Sequence, residues 1–305
     1  MTLNGGYAYR DRIDLDGAGM TVLAYLSARH PHSSREQWCE RLDRGELELN
    51  GTTLREDVIL HAGGTLVWHR PPWDEPEVPR HYDLLYEDAS LVAVIKPRGL
   101  PTMAAGGFLE GTLLNLMREC YPEARPLHRL GRHTSGIVLF ARTHAAAARL
   151  SRAWRDHAVE KRYRALASGI AHRETRAIEA SIGPVAHPVL GTVHAASPTG
   201  KAAHSVAHVV GYRAGMTLFD VDITTGRPHQ VRIHLACAGH PLVGDPLYAA
   251  GGTLLAANPG LPGAGGYLLH AARLRFAHPL SNDPVELAAP PPGDLCTDAE
   301  LRRAR

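Results

Sequence analysis

The chain has 305 residues, a formal net charge of +2 with its 19 histidines counted neutral, 44% hydrophobic residues and 21% charged ones. That balance excludes a largely disordered chain, and the length exceeds one typical domain. So small a net charge does not mark a nucleic-acid binder, no run approaches the ~18 apolar residues of a membrane span, and no basic-then-apolar leader opens the chain, so a cytoplasmic protein is expected.

From about Ile13 to Val67 the pattern predicts a small mixed module. MTVLAYLSARHP reads as a helix and SSREQWCERLDRGE as a second, with Ser33 and Ser34 at its N-cap. ELELNGTTL and GTLVWH read as short strands, and Asn50-Gly51 is a hairpin-turn signal. Arg35, Arg41 and Arg44 lie in the second helix, and Trp38, Arg41 and Arg44 share one face at three-residue spacing. Two readings stay open there: a face for phosphate contact and base stacking, or a core tryptophan beside solvated arginines. RPPWDEPEVPR, Arg70 to Arg80, holds four prolines in eleven residues and reads as an extended linker.

Beyond it, DLLYEDASLVAVIKP and TLFDVDIT read as strands, LLNLMREC and AAAARLSRAWRDHA as helices. Strands that often follow one another directly, with no repeat period, indicate an α+β fold. The tail PPPGDLCTDAELRRAR is expected to be peripheral and partly disordered. Cys39, Cys120, Cys237 and Cys296 form no C-x-x-C pair, which disfavours a zinc site or disulfide framework; they are expected to be reduced and mostly buried.

Two segments crowd polar residues against apolar ones. In LHRLGRHTSGIVLFAR, His128, Arg129, Arg132 and His133 surround Gly131, and Thr134-Ser135-Gly136 leads into an apolar strand. In TTGRPHQVRIHLACAGHPLVGDPLY, Arg227 and His229 precede Gln230, Arg232 and His234, whose alternation reads as one polar side of a strand. His229 and His234 are five apart with no H-E-x-x-H pattern, so no bound metal is expected. Ser135 lacks a G-x-S-x-G elbow, and GxGxxG and Walker loops are absent, so neither a serine hydrolase nor a nucleotide cofactor is implied.

Taken together these segments resemble the RluA-type RNA pseudouridine synthases. The family's H-R-L-D-R-x-T-S-G stands here as His128-Arg129-Leu130-Gly131-Arg132-His133-Thr134-Ser135-Gly136. VAVIKPRGLPT with Lys96, VEKRYRALASG with Tyr163, TGKAAHS, TGRPHQVRIHLACAGHPLVGDPLY and LLHAARLRFAHP follow in the family's order, covering about Asp83 to Pro290. DRGELELNG is similar to a segment of the S-four-like RNA-binding domain often fused ahead of that core.

The resemblance implies a pseudouridine synthase fold, with a mixed, mainly antiparallel sheet flanked by helices and loops, behind a small N-terminal α/β RNA-binding domain. The expected layout is residues 1–69 as that domain, 70–80 as linker, 81–290 as the synthase-like domain and 291–305 as a peripheral tail. It implies an RNA partner (rRNA or tRNA), no cofactor and a monomer. Arg35, Arg41, Arg44, Lys96, His128, Arg129, Arg132, Thr134, Arg227, His229 and Gln230 become expected RNA contacts, Tyr163 the residue stacking on the target base, and Arg232 the partner of the catalytic aspartate. Breaking the uracil–ribose bond leaves positive charge on the sugar, for which a buried carboxylate is the natural tool. Here that position is Gly131, which removes the aspartate-dependent mechanism. Either uridine isomerisation continues by another carboxylate, or the chain is a catalytically silent RNA-binding protein using the same cleft. Arg232 then needs a different partner: an RNA phosphate, a carboxylate such as Asp245, or solvent in a widened cleft.

Overall fold

The computed structural model describes residues 2–257 and 259–303. It divides into two units: residues up to Pro76 together with Ala186–Thr192, and the remainder, Glu77–Val185 with Val193–Arg305.

In the first unit β1 (Thr2–Leu3) and β2 (Tyr7–Arg12) precede α1 (Val22–Arg29) and α2 (Arg35–Asp43). β3 (Leu47–Leu49), β4 (Thr52–Thr53), β5 (Thr65–Arg70) and β6 (Asp74–Glu75) follow. Ser34 caps α2 in a reciprocal capping box with Gln37. Asn50 and Gly51 both take positive φ (51° and 86°), the geometry a two-residue hairpin needs to join β3 to β4. Four strands in the order β2-β5-β3-β4 share a core of Val22, Leu26, Trp38, Leu42, Leu47 and Leu66 with the helices. The Pro-rich stretch is not free chain throughout: Asp74–Glu75 pairs antiparallel with Thr2–Leu3.

The second unit opens with β7 (Asp83–Glu87), β8 (Leu91–Lys96), α3 (Leu113–Cys120), β9 (Arg125–Pro126), β10 (Thr134–Ala141) and α4 (His144–Arg155). The chain continues through β11 (Glu160–Ser168), β12 (Thr175–Ile178), β13 (Ile182–His187), β14 (Gly191–Ala196), β15 (Ser205–Arg213), β16 (Met216–Ile223) and α5 (Gln230–Cys237), the end of β13 and the start of β14 being counted with the first unit. β17 (Leu269–Ala277), β18 (Pro284–Ala288) and α6 (Asp298–Arg303) complete the described chain. Its main sheet runs β12-β15-β16-β11-β17-β10-β8-β7, antiparallel except where β10 meets β17. This is the mixed, mainly antiparallel sheet of a pseudouridine synthase fold, as expected. All eight residues of β10 are buried, which explains its unbroken apolar run. Gly136 sits where β10 and β17 approach closely; a Cβ there would meet the Ala271 carbonyl oxygen and amide nitrogen at 2.3 and 2.6 Å.

Three expectations need correction. The stretch from Gln230 is a helix, not a strand: Gln230 through Ala236 are all buried, so the polar members are inside as well and alternation carries no face information. The tail docks: Leu295 is fully buried, and Glu300 pairs with Arg164 at 2.9 Å. None of the four cysteines is buried; Cys120 is exposed and the others half-buried, all with free thiols.

Candidate nucleic-acid interface around Gly131

The parallel register Thr134↔Leu269 brings the residues just before β10 and β17 side by side. Gly131 and Tyr267 meet there: a Cβ built on Gly131 would stand 2.9 Å from Tyr267 Oη and 3.6 Å from Thr134 Oγ1, and among the described residues nothing else beyond its own chain neighbours, Leu130 and Arg132, lies within 4 Å. The two hydroxyls are 3.4 Å apart. Thus the missing side chain leaves no widened hollow; a buried tyrosine fills the space beneath an exposed glycine.

Arg232, on α5, spreads its guanidinium over Tyr267 (4.2 Å to the ring centroid) and Tyr248 (5.0 Å). Its Nε and Nη2 donate to the two Asp245 carboxylate oxygens at 2.7 and 2.8 Å, and Nη1 donates to the Pro262 carbonyl. Asp245 Oδ1 also accepts from the Leu247 and Tyr248 amides. Of the three partners open to Arg232, Asp245 is therefore the one found, and its side chain is buried at 1% exposure.

His229 precedes α5 in a left-handed conformation (φ 55°). Its Nδ1 lies 2.7 Å from Tyr248 Oη, which itself donates to the His194 carbonyl at 2.6 Å. Burial, then the Arg232 charge, hold the imidazole neutral by lowering its pKa to about 3. Arg129 is exposed, close enough to contribute to that effect, and makes no hydrogen bond or ion pair among the described residues. Tyr163, on β11 opposite Ala271, is half-buried and packs on the clusters containing Leu130 and Tyr267. Burial pushes its phenol up to about 12, so it stays protonated.

Several other expected contacts already have partners within the protein. Lys96 is fully buried, its Nζ donating to the carbonyls of Pro97, Leu100 and Arg132, and burial lowers its pKa to about 7. It ties two loops together instead of facing solvent. His128 Nε2 accepts the Leu139 amide while the ring stacks on Trp154, centroids 5.1 Å apart. Gln230 uses its whole amide, accepting from Thr225 and the Arg227 amide and donating to His204 and Ser205. Arg132 donates twice to the Gly263 carbonyl, and Arg227 Nε to that of Ala202. Thr134 is buried against Tyr267. His133 has a buried Nε2 without a hydrogen-bond partner among the described residues and a pKa lowered to about 4 by burial and then by Arg132.

In the first unit Trp38 belongs to the core at 1% exposure, so it cannot stack on a base. Arg41 lies between Trp38 and Trp68 at 4.2 and 4.3 Å and donates to Ser33. Arg35 pairs with Asp57, and Arg44 with Glu40 and Glu46.

Sequence reasoning missed Tyr248 and Tyr267. Tyr248 was visible inside the GDPLY segment, whereas nothing local marks Tyr267; only the β10–β17 pairing reveals it. Among the described residues no group of three His, Cys, Asp or Glu side chains could hold a metal, and no helix is long and apolar enough to cross a membrane.

Comparison with known proteins identifies the family. Residues 90–237 match the family model described as RNA pseudouridylate synthase. The chain is 40% identical to an uncharacterized RNA pseudouridine synthase of Synechocystis sp., over 90% of this chain and 96% of the relative. It is 34% identical to RNA pseudouridine synthase 5 of Arabidopsis thaliana, over 98% and 96%. The solved human RNA pseudouridylate synthase domain containing 1 shares the fold, with a TM-score of 0.57 at 23% identity, over 76% of this chain and 97% of that one.

Proposed function

Since the chain belongs to the RNA pseudouridine synthase family, we propose that it binds a uridine of rRNA or tRNA on the surface around Gly131 and is silent in aspartate-dependent isomerisation. One observation carries this reading: among the described residues, and apart from the flanking Leu130 and Arg132, only two hydroxyl oxygens, of Tyr267 and Thr134, lie within 4 Å of where a side chain at 131 would begin. Neither can replace a carboxylate as nucleophile or as counter-charge to an oxocarbenium-like sugar. The Asp245 carboxylate is buried and paired with Arg232. What remains is a binding surface. Arg129 supplies a free cation for phosphate, and Tyr163 an apolar ring for the base. Binding of this kind, by a monomer in the cytoplasm, suits an RNA chaperone or a competitor for a modification site.

Isomerisation by another route draws support from the names of the relatives, two of which are RNA pseudouridine synthases at 34% identity or more. Incubating the purified protein with total RNA from a strain lacking it, then mapping pseudouridine, decides between the two. The expected result is bound RNA without new pseudouridine; new pseudouridine overturns the silent reading. Arg129→Ala should weaken binding evenly across sequences and reduce the salt slope by about 1, as for loss of one phosphate contact.

A further inference from the structure

The tautomer of His229 is set by its neighbours. A carbonyl oxygen only accepts, so the 2.6 Å contact to His194 uses the single proton of Tyr248 Oη. That oxygen must then accept from His229, which puts the imidazole proton on Nδ1 and leaves Nε2 with a lone pair. Among the described residues Nε2 has no hydrogen-bond partner, yet it is not a sealed atom, so it is open to a ligand. Arg129 and Arg232 both act electrostatically on this ring, and Arg232 lies over Tyr267, the residue beneath Gly131. An orphan acceptor of fixed tautomer therefore stands within electrostatic range of the open arginine.

We infer that His229 is a specificity-determining residue that recognises uracil through its N3–H, the Nε2 lone pair accepting that proton in a hydrogen bond. Cytosine presents a lone pair at N3, which would face another lone pair and leave both unpaired. The inference rests on the proposed uridine-binding reading of the Gly131 surface and deepens it by naming the residue that reads the base. The ring cannot adapt by flipping without breaking the Tyr248–His194 chain, and its depressed basicity keeps the acceptor available at neutral pH.

The test is a fluorescence titration of the full chain with ten-nucleotide single strands of uridine, cytidine and N3-methyluridine. The wild type should bind the uridine strand about tenfold more tightly than the other two, as expected for one buried hydrogen bond of about 1.4 kcal/mol. His229→Phe should bring the three affinities together, and Tyr248→Phe, which releases the ring, should narrow the gap. Equal wild-type affinities for uridine and N3-methyluridine overturn the inference and leave the RNA-binding reading standing. Failure to bind any of the three overturns that reading and the inference with it. The wild-type comparison decides the matter even where a variant does not fold.

Discussion

Arg232 and Asp245 face each other through two hydrogen bonds of 2.7 and 2.8 Å, with side chains 2% and 1% exposed. In a buried pair of this quality the energetic weight lies in not breaking it, since each charge has given up its hydration. The arginine is thereby held over Tyr267, and the floor beneath Gly131 is built without any contribution from residue 131.

Asp245→Ala leaves the Arg232 charge buried and unpaired, and should lower stability by about 3–5 kcal/mol. Replacing both partners together, Asp245→Leu with Arg232→Met, should cost clearly less than the sum of the two single changes. Urea unfolding of the wild type, Asp245→Leu, Arg232→Met and the double variant measures this; additive losses would mean that the pair does not act as a unit.

Gly131→Asp must displace Tyr267 Oη, which lies 2.9 Å from the new Cβ, and an overpacked site of this kind costs roughly 1–3 kcal/mol. Removing the hydroxyl with Tyr267→Phe should recover at least half of that loss. Thermal melting of the single and double variants checks it, and a single variant as stable as the wild type would show that the tyrosine moves freely.

His128 titrates near 6.5 when unfolded, whereas burial and then the Lys161 charge lower it to about 4 in the native chain. Between these values the unfolded chain binds more protons, so the stabilisation is fully present above pH 6.5 and is lost as pH falls towards 4, by at most about 1.4 kcal/mol per unit from this residue. His133, His229 and His270, lowered to about 4, 3 and 4, act in the same direction. His128→Gln keeps an acceptor for the Leu139 amide and should flatten the acid limb of a stability–pH curve; an unchanged slope would show that His128 is not held neutral.

Leu295 is completely buried in the docked tail, against Leu166 and Leu218. Leu295→Ala should cost about 2–5 kcal/mol, the range for a buried leucine, whereas a peripheral tail would tolerate it without effect. Chemical denaturation distinguishes the two.

Much of the architecture could be read locally. Ser34 and Gln37 mark the start of α2, Asn50-Gly51 the hairpin, and an unbroken apolar run the central β10. α5 could not, because its polar residues point inward: Gln230, Arg232 and His234 each satisfy their groups inside the protein, so the polarity pattern no longer reports an exposed side. Lys96 and His128 misled for a related reason, since a charged or polar residue in a recognised segment can serve the scaffold as readily as the ligand.

The order of its segments was enough to assign this chain to a pseudouridine synthase fold and to draw attention to Gly131, where the resemblance implies an aspartate, because those are matters of residue identity and spacing. What stands in place of that aspartate was not written locally. Tyr267 and Asp245 lie more than a hundred residues from Gly131, and reach its surroundings through the parallel β10–β17 pairing and the arginine of a buried helix. Long-range strand pairing and charge burial depend on the whole packed core, so their outcome appears only once the chain has folded.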